Sequence, residues 1–121
     1  MTSQYDWLVQ TLDYPNAQPH RMSNFPAHLS YNKPLIVAGQ MVLSGPTLSS
    51  QPKSADEVPD MNGSVMLLKA SGEDEVWEMI RENPYAKVGV WDLGRVRITP
   101  MRCAECSKME YSCKERGAAV T

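Results

Sequence analysis

The stretch GSVMLLKASGEDEVWEMIRENP, residues 63–84, decides how the rest of the chain is read. Gly63-Ser64 opens an apolar run, Val65, Met66, Leu67 and Leu68, with the length and bounding residues of a strand. In the following Ser71-Gly72-Glu73-Asp74, Ser71 is placed to cap a helix and Asp74 to reach back to it, while the acidic first turn suits the helix dipole. Val76, Trp77 and Ile80 then recur at helical spacing and form the core-facing side. Pro84 disfavours helical geometry in the residue before it, so the helix stops near Asn83.

Downstream, Val88 to Ile98 reads as an entry turn, interrupted by Gly89 and Gly94, and then a last strand in which Val96 and Ile98 alternate with Arg95 and Arg97. Pro100 closes that strand, and residues 101–121, short of core-forming side chains, read as a tail that frays or docks loosely. Upstream, residues 47–62 hold Ser, Pro and acidic side chains without periodicity, a surface loop long enough to be a lid. Before it, Gln40–Leu43 reads as a strand ending in the turn Ser44-Gly45-Pro46. A helix is expected to start near Asn24, a capable cap, with Pro26 in its first turn, where the missing N–H costs nothing. Leu29, Tyr31 and Leu35 to Val37 would supply its apolar side and Gly39 its stop. Pro34 would kink it, and the pattern alone also permits one long strand from Leu35 to Leu43. Residues 14–24 are polar and irregular. Tyr5–Leu12, aromatic and apolar with a Pro/Asn stop, is the first strand, which places Asp13 at a strand end, where side chains commonly project into a site.

With 121 residues the chain fits one domain around one modest core. Phe occurs once and Met eight times, so the core leans on Leu, Val, Met, Trp and Tyr. Met adapts to irregular spaces, which suits plain gap-filling and equally a pocket for a bulky apolar ligand. Residues 1–94 carry 6 Lys+Arg against 11 Asp+Glu, and residues 95–121 carry 6 against 3. No basic stripe interleaved with aromatics appears, which argues against nucleic acid as a partner. The odd trio Cys103, Cys106 and Cys113 argues against a secreted disulfide framework and lacks a well-spaced fourth zinc ligand. No segment could span a membrane and no leader is evident, so a soluble cytoplasmic protein is expected.

The order strand, helix, strand, long loop, strand, helix, strand is the β-α-β-β-α-β pattern of an α+β, ferredoxin-like domain. Its four-stranded antiparallel sheet, covered by helices on one face, leaves the other face bare, and pairing of two sheets in a homodimer is the expected remedy. The chain also resembles the YCII-related family of the dimeric α/β-barrel superfamily. The matching pieces run in order through Asp13, Arg21, Pro26-Ala27-His28-Leu29, Ala38-Gly39, Ser44-Gly45-Pro46, Gly63-Ser64, Asn83-Pro84-Tyr85, Val88-Gly89-Val90 and Ile98-x-Pro100. On this resemblance residues 1–102 form the domain, with 47–62 inserted and 103–121 a tail, and the fold is a dimeric α/β barrel. The resemblance also implies a His-Asp pair in a pocket, carried by position onto His28 and Asp13. The chain departs from the family pattern at Phe25 for an arginine, Asn83 for an aspartate and Met101 for an aromatic residue.

A histidine titrating near neutrality can take a proton and return it, and a carboxylate on its other nitrogen would fix the tautomer. His28 and Asp13 are thus the catalytic candidates, set against a satisfied core histidine and an ordinary turn aspartate. Arg21 could hold a carboxylate or enolate, Tyr31, Tyr85 and Trp91 could line the pocket and stack on a flat substrate, and Ser44 could bond a ligand. No hydrolase elbow, phosphate-cradling glycine loop or dinucleotide fingerprint occurs. A facial iron site built from the two histidines and Asp13 has no supporting spacing. The expectation is therefore a cofactor-independent isomerase, dehydratase or cyclase, a lyase or isomerase in class, with no metal. It would use His-based acid-base chemistry on a hydrophobic, oxygenated, polyketide-like biosynthetic intermediate. Two other readings stand beside it: a non-catalytic ligand-binding or stress-response module, and a cofactor-free monooxygenase.

Overall fold

The computed structural model of the protein describes residues 4–105. Strand β1 (Tyr5–Leu12) is followed by two helices, α1 (Gln18–Ser23) and α2 (Phe25–Val37), and then by the hairpin β2 (Met41–Leu48) and β3 (Met61–Ala70). Helices α3 (Glu73–Glu82) and α4 (Pro84–Lys87), a single 3-10 turn (Leu93–Arg95) and strand β4 (Arg97–Met101) complete it. The sheet order is β2-β3-β1-β4, with every neighbouring pair antiparallel. This is the expected ferredoxin-like α+β arrangement.

The register assigns the two faces. Trp7, Val9 and Thr11 of β1 stand opposite Leu68, Met66 and Ser64 of β3, and alternation puts these side chains on one face. Val9, Met66 and Leu68 join Val76, Met79 and Ile80 of α3, Tyr85 of α4, and Val90 and Trp91 in one buried cluster, with Trp7 and Ile98 packed partly buried against it. The opposite face carries Leu8, Gln10 and Leu12 of β1 against Leu67, Val65 and Gly63 of β3, with Leu43 beside Leu67 and Thr99 beside Leu8.

Several local expectations are corrected. Residues 14–24 are not irregular throughout: Asn16 turns the chain with φ 60°, and Pro19, in the first turn where no N–H is needed, starts α1. Ser44-Gly45-Pro46 is not a turn but continues β2, because edge strand β2 pairs only with β3 and tolerates a proline. The hairpin loop is thereby shortened to residues 49–60, closed by the Ser49 N–H donating to Asp60 O at 3.0 Å. Pro100 likewise lies within β4, an edge strand paired only to β1. The start of the expected tail is tied down, since Met101 belongs to β4 and the backbone N–H of Cys103 donates to Asp6 Oδ2 at 2.8 Å. The rest of the tail, 106–121, with Cys106 and Cys113, lies outside the described residues. At α3 the partner of Ser71 is Glu75, not Asp74: Glu75 Oε1 accepts from both the backbone N–H and the hydroxyl of Ser71.

Helix α2 departs most from expectation. Its buried side chains are the polar His28 and Asn32, one turn apart, while Phe25, Leu29, Ile36 and Val37 are exposed by half or more. The expected apolar side of Leu29 and Leu35 to Val37 therefore does not face the core, apart from the partly buried Leu35. A helix that buries polar groups and exposes apolar ones is shaped by something other than core formation.

One glycine is fixed by close approach. A Cβ on Gly63 would collide with the backbone carbonyl oxygen of Thr11 and press on Thr47 Oγ1. Backbone cannot swing aside as a side chain can, so Gly63→Ala is expected to destabilise the fold by at least about 1–3 kcal/mol, read as a lowered midpoint in urea. A midpoint equal to that of the parent protein would contradict the tight β1/β3 register.

Candidate active site

Asp13 leaves β1 with its backbone N–H bonded to Asn62 O at 2.9 Å and forms an isolated bridge with Trp91. Its carboxylate faces Arg21 of α1. Arg21 Nε donates to Oδ2 at 2.8 Å and Nη2 to Oδ1 at 2.9 Å, with both side chains 4% exposed. Nη2 also lies 2.8 Å from Gly63 O and 2.9 Å from Ser64 Oγ, so one guanidinium joins β1, α1 and β3. Ser64 Oγ further accepts from Trp91 Nε1 at 3.2 Å, and Tyr85 donates its hydroxyl to Arg21 O at 3.0 Å.

His28 sits on the inward side of α2. Its Nδ1 is 2.9 Å from Asn83 Oδ1, and its Nε2 is 3.2 Å from Asn32 Nδ2. Asn83 Oδ1 also accepts the Tyr85 backbone N–H at 2.9 Å, which fixes which end of that amide faces the ring. Nδ1 must then carry the proton and Nε2 the lone pair that accepts from Asn32. Asn83 Nδ2 donates in turn to Asn32 Oδ1 at 3.3 Å, so the imidazole and two amides close a ring of hydrogen bonds. Tyr85 stacks flat on His28, with centroids 3.9 Å apart and planes 9° from parallel, and the Arg21 Cζ lies 4.8 Å from the Tyr85 centroid. Burial lowers the His28 pKa below its ordinary value; the hydrogen bond to Asn83 opposes that, and the positive charge of Arg21 adds to it.

These side chains border a cavity of about 480 Å³. Its apolar wall is Met22, Phe25, Leu29, Ile36, Pro46 and Met61, and its polar wall is Arg21, His28, Asn32, Ser44, Ser64 and Tyr85. Among the residues expected to form a site, His28, Arg21, Ser44 and Tyr85 line it. Asp13, Tyr31 and Trp91 do not: Asp13 holds Arg21 from behind, the Tyr31 hydroxyl donates to Met79 O at 3.0 Å, and Trp91 supports Ser64 and meets the His28 ring edge-on. The expected contact of Asp13 with His28 is not made, because Arg21 occupies both carboxylate oxygens and Asn83 occupies the ring nitrogen. Asn32, Ser64 and Asn83 were not foreseen as site residues. The four-residue spacing of Asn32 from His28 was the available signal for the first, since it puts both on one face of a helix. Among the described residues no group of three or more His, Cys, Asp and Glu side chains converges as metal ligands.

Comparison with known proteins finds relatives named for biosynthetic clusters. The YCII-related domain matches residues 6–102. The derivative of benzaldehyde biosynthesis cluster protein C of Emericella nidulans is 49% identical over 89 residues, covering 74% of this chain and 91% of that protein. A xenovulene A biosynthesis cluster protein of Sarocladium schorii is 39% identical, over 81% of this chain and 88% of its own. Among solved structures, 5-chloro-2-hydroxyhydroquinone dehydrochlorinase from Burkholderia phenoliruptrix, in complex with 2,5-dihydroxybenzoquinone, superposes with a TM-score of 0.68 at 28% identity, over 80% of this chain and 93% of that one.

Burial favours the neutral ring only in the folded state, so the folded pKa of His28 lies below the ordinary 6.5. The stability this contributes is present above about pH 6.5 and is lost as pH falls through the folded value. In an NMR titration the His28 ring is expected to show its midpoint below 6.5, and Asn83→Asp to move it upward by placing a carboxylate at Nδ1. A midpoint at or above 6.5 in the parent protein would contradict the neutral-ring assignment.

Proposed function

We propose a function from one premise: the chain belongs to the YCII-related domain family, and its fold is the ferredoxin-like fold of dimeric α/β barrels. On that premise the protein is a small-molecule enzyme of biosynthesis, acting without a cofactor on a hydrophobic, oxygenated, polyketide-like or aromatic intermediate. The observation that carries this reading is a buried histidine of fixed tautomer, its Nε2 lone pair held only by a 3.2 Å amide contact, in the wall of a largely apolar cavity. The relatives from biosynthetic clusters and the dehydrochlorinase bound to a hydroxyquinone support the substrate class.

The chemistry follows from the hydrogen bonds. A neutral imidazole can accept a proton at Nε2 when a substrate C–H next to a carbonyl displaces the long contact from Asn32. The imidazolium so formed keeps its Nδ1–H on Asn83 Oδ1, a neutral acceptor, and so returns the proton readily. Arg21 faces the same cavity and suits the oxygen on which enolate charge collects. Proton removal and return at neighbouring atoms gives isomerisation, elimination of water or ring closure. Asp13 in this scheme positions Arg21, and Tyr85 positions both Arg21 and His28. Ser44, at the rim, is available to a substrate hydroxyl.

A second reading has its own observation. The partner of His28 is an amide rather than a carboxylate, which leaves the imidazolium without a counter-charge and suits a ligand-binding module that does no chemistry.

Two measurements test the proposal. Hydroxylated aryl methyl ketones incubated with the protein in heavy water are expected to take up deuterium beside the carbonyl, and His28→Ala to slow that uptake by about 10²- to 10⁴-fold with an unchanged circular dichroism spectrum. Equal uptake in the variant, or none in the parent protein, would sink the catalytic reading. The sheet face opposite the core exposes Leu12, Leu43 and Met101 by 38–43% beside the Asp6–Lys69 ion pair, an apolar patch suited to a second copy of the same sheet. Sedimentation equilibrium at micromolar concentration is expected to give a dimer, and a stable monomer would count against the pairing.

A further inference from the structure

Ser64 lies on the core-facing side of β3, 2% exposed and in the cavity wall. Its oxygen receives two hydrogen bonds, from Arg21 Nη2 at 2.9 Å and from Trp91 Nε1 at 3.2 Å. Neither group can accept, since guanidinium and indole nitrogens only donate. Nη2 has two hydrogens for three acceptors, so its donation to Ser64 is shared, and among the described residues the hydroxyl's own hydrogen has no acceptor. Arg21 shows the same excess. Its Nε and Nη2 serve Asp13, Gly63 and Ser64, while Nη1 has no acceptor among the described residues. Asn32 Nδ2 spends one N–H on His28 and has a second to give. Buried donors without partners are costly, commonly about 1–3 kcal/mol each, and this cost falls when a ligand brings the acceptor.

We infer that Ser64 and Arg21 Nη1 together form a subsite for an anionic oxygen, a phenolate, enolate or carboxylate, and that Ser64 is a substrate-binding residue. The inference deepens the proposed function by assigning the charge state of the ligand and rests on that reading only in taking this cavity as the substrate site. Two features make the subsite selective. The surplus groups are donors, so an anionic ligand oxygen, which makes charge-assisted hydrogen bonds, gains more from them than the weaker acceptor oxygen of a phenol or alcohol. The Arg21 charge is shared with Asp13 on its far edge, so the cavity attracts an anion chiefly through aimed N–H and O–H groups, which act strongly in an apolar surround. Trp91 and Asp13, although outside the cavity, set the direction of the Ser64 hydroxyl and of Nη1 by occupying the other valences.

4-Nitrophenol tests this without any turnover, because its ionisation is visible. Bound to the parent protein, it is expected to ionise at a pH at least about one unit below the free phenol, a tenfold preference for the anion. Its methyl ether, 4-nitroanisole, serves as the neutral control. Ser64→Ala is expected to weaken phenolate binding by roughly tenfold or more while leaving ether binding within about twofold; a merely structural loss would weaken both alike. Ser64→Cys, which keeps an atom for Trp91 and Arg21 but donates weakly, is expected to lose the same preference and serves if the alanine variant does not fold. A bound phenol whose pKa is unchanged or raised, absence of binding at millimolar phenol, or equal losses for phenolate and ether would overturn the assignment. His28→Gln separates the two proposals: loss of deuterium uptake with the anion preference kept bears on catalysis alone, and uptake without any anion preference removes the subsite and leaves the enzyme.

Discussion

The buried pair of Asp13 and Arg21 is the interaction on which the rest of the site depends. A guanidinium 4% exposed must be neutralised and its donors engaged, and the strand end at Asp13 supplies a carboxylate with both oxygens turned to it. Removing one partner of such a pair typically costs about 3–5 kcal/mol, because the other is left charged and dry. The pair explains several things at once. It draws α1 onto the ends of β1 and β3, it brings Arg21 O to the Tyr85 hydroxyl, and through Ser64 it reaches the Trp91 indole. It also explains why Asp13 cannot orient His28: the carboxylate has no oxygen to spare.

With the carboxylate committed elsewhere, the imidazole is held by amides. Asn83 is well placed for this because it does two jobs with one oxygen, capping the short helix α4 through the Tyr85 N–H and accepting from His28 Nδ1. The closed ring through Asn32 leaves each of the three side chains with one defined orientation. A ring of neutral groups gives a stiff geometry and a weakly basic imidazole, whereas a carboxylate at the same place would give a stronger base with a resident charge.

The alternating and helical periodicities carried the fold into view, because Val9, Met66, Leu68, Val76 and Ile80 face the core at the spacings that sheet and helix require. They failed at α2, and for a physical reason: the inward face of that helix is polar, so Leu29 and Ile36, which pattern assigns to the core, form instead the wall of a cavity open to solvent. Ser64, which opens a strand and belongs to a piece of the family pattern, was not expected to border the cavity. Pro46 and Pro100 misled because strand position decides whether a proline ends a strand, and edge position belongs to the topology rather than to the local sequence. His28, Arg21, Ser44 and Tyr85, singled out by type and resemblance, do border the cavity. The partners were not, since which acid meets which base is settled by distances that no spacing encodes.

The separation of charge from basicity has a consequence for how the cavity can work. Burial lowers the basicity of His28, against the hydrogen bond to Asn83, and the Arg21 charge adds to the lowering, which favours the neutral ring. When negative charge appears on a substrate oxygen beside Arg21, that charge opposes both effects and raises the affinity of the ring for a proton. In the proposed reaction, proton transfer from carbon to Nε2 and charge growth on oxygen would therefore stabilise one another. A permanent carboxylate on Nδ1 would weaken this coupling by stabilising the imidazolium before any substrate charge exists. The replacement of a charged partner by Asn83 thus fits a site in which the substrate itself supplies the counter-ion to His28.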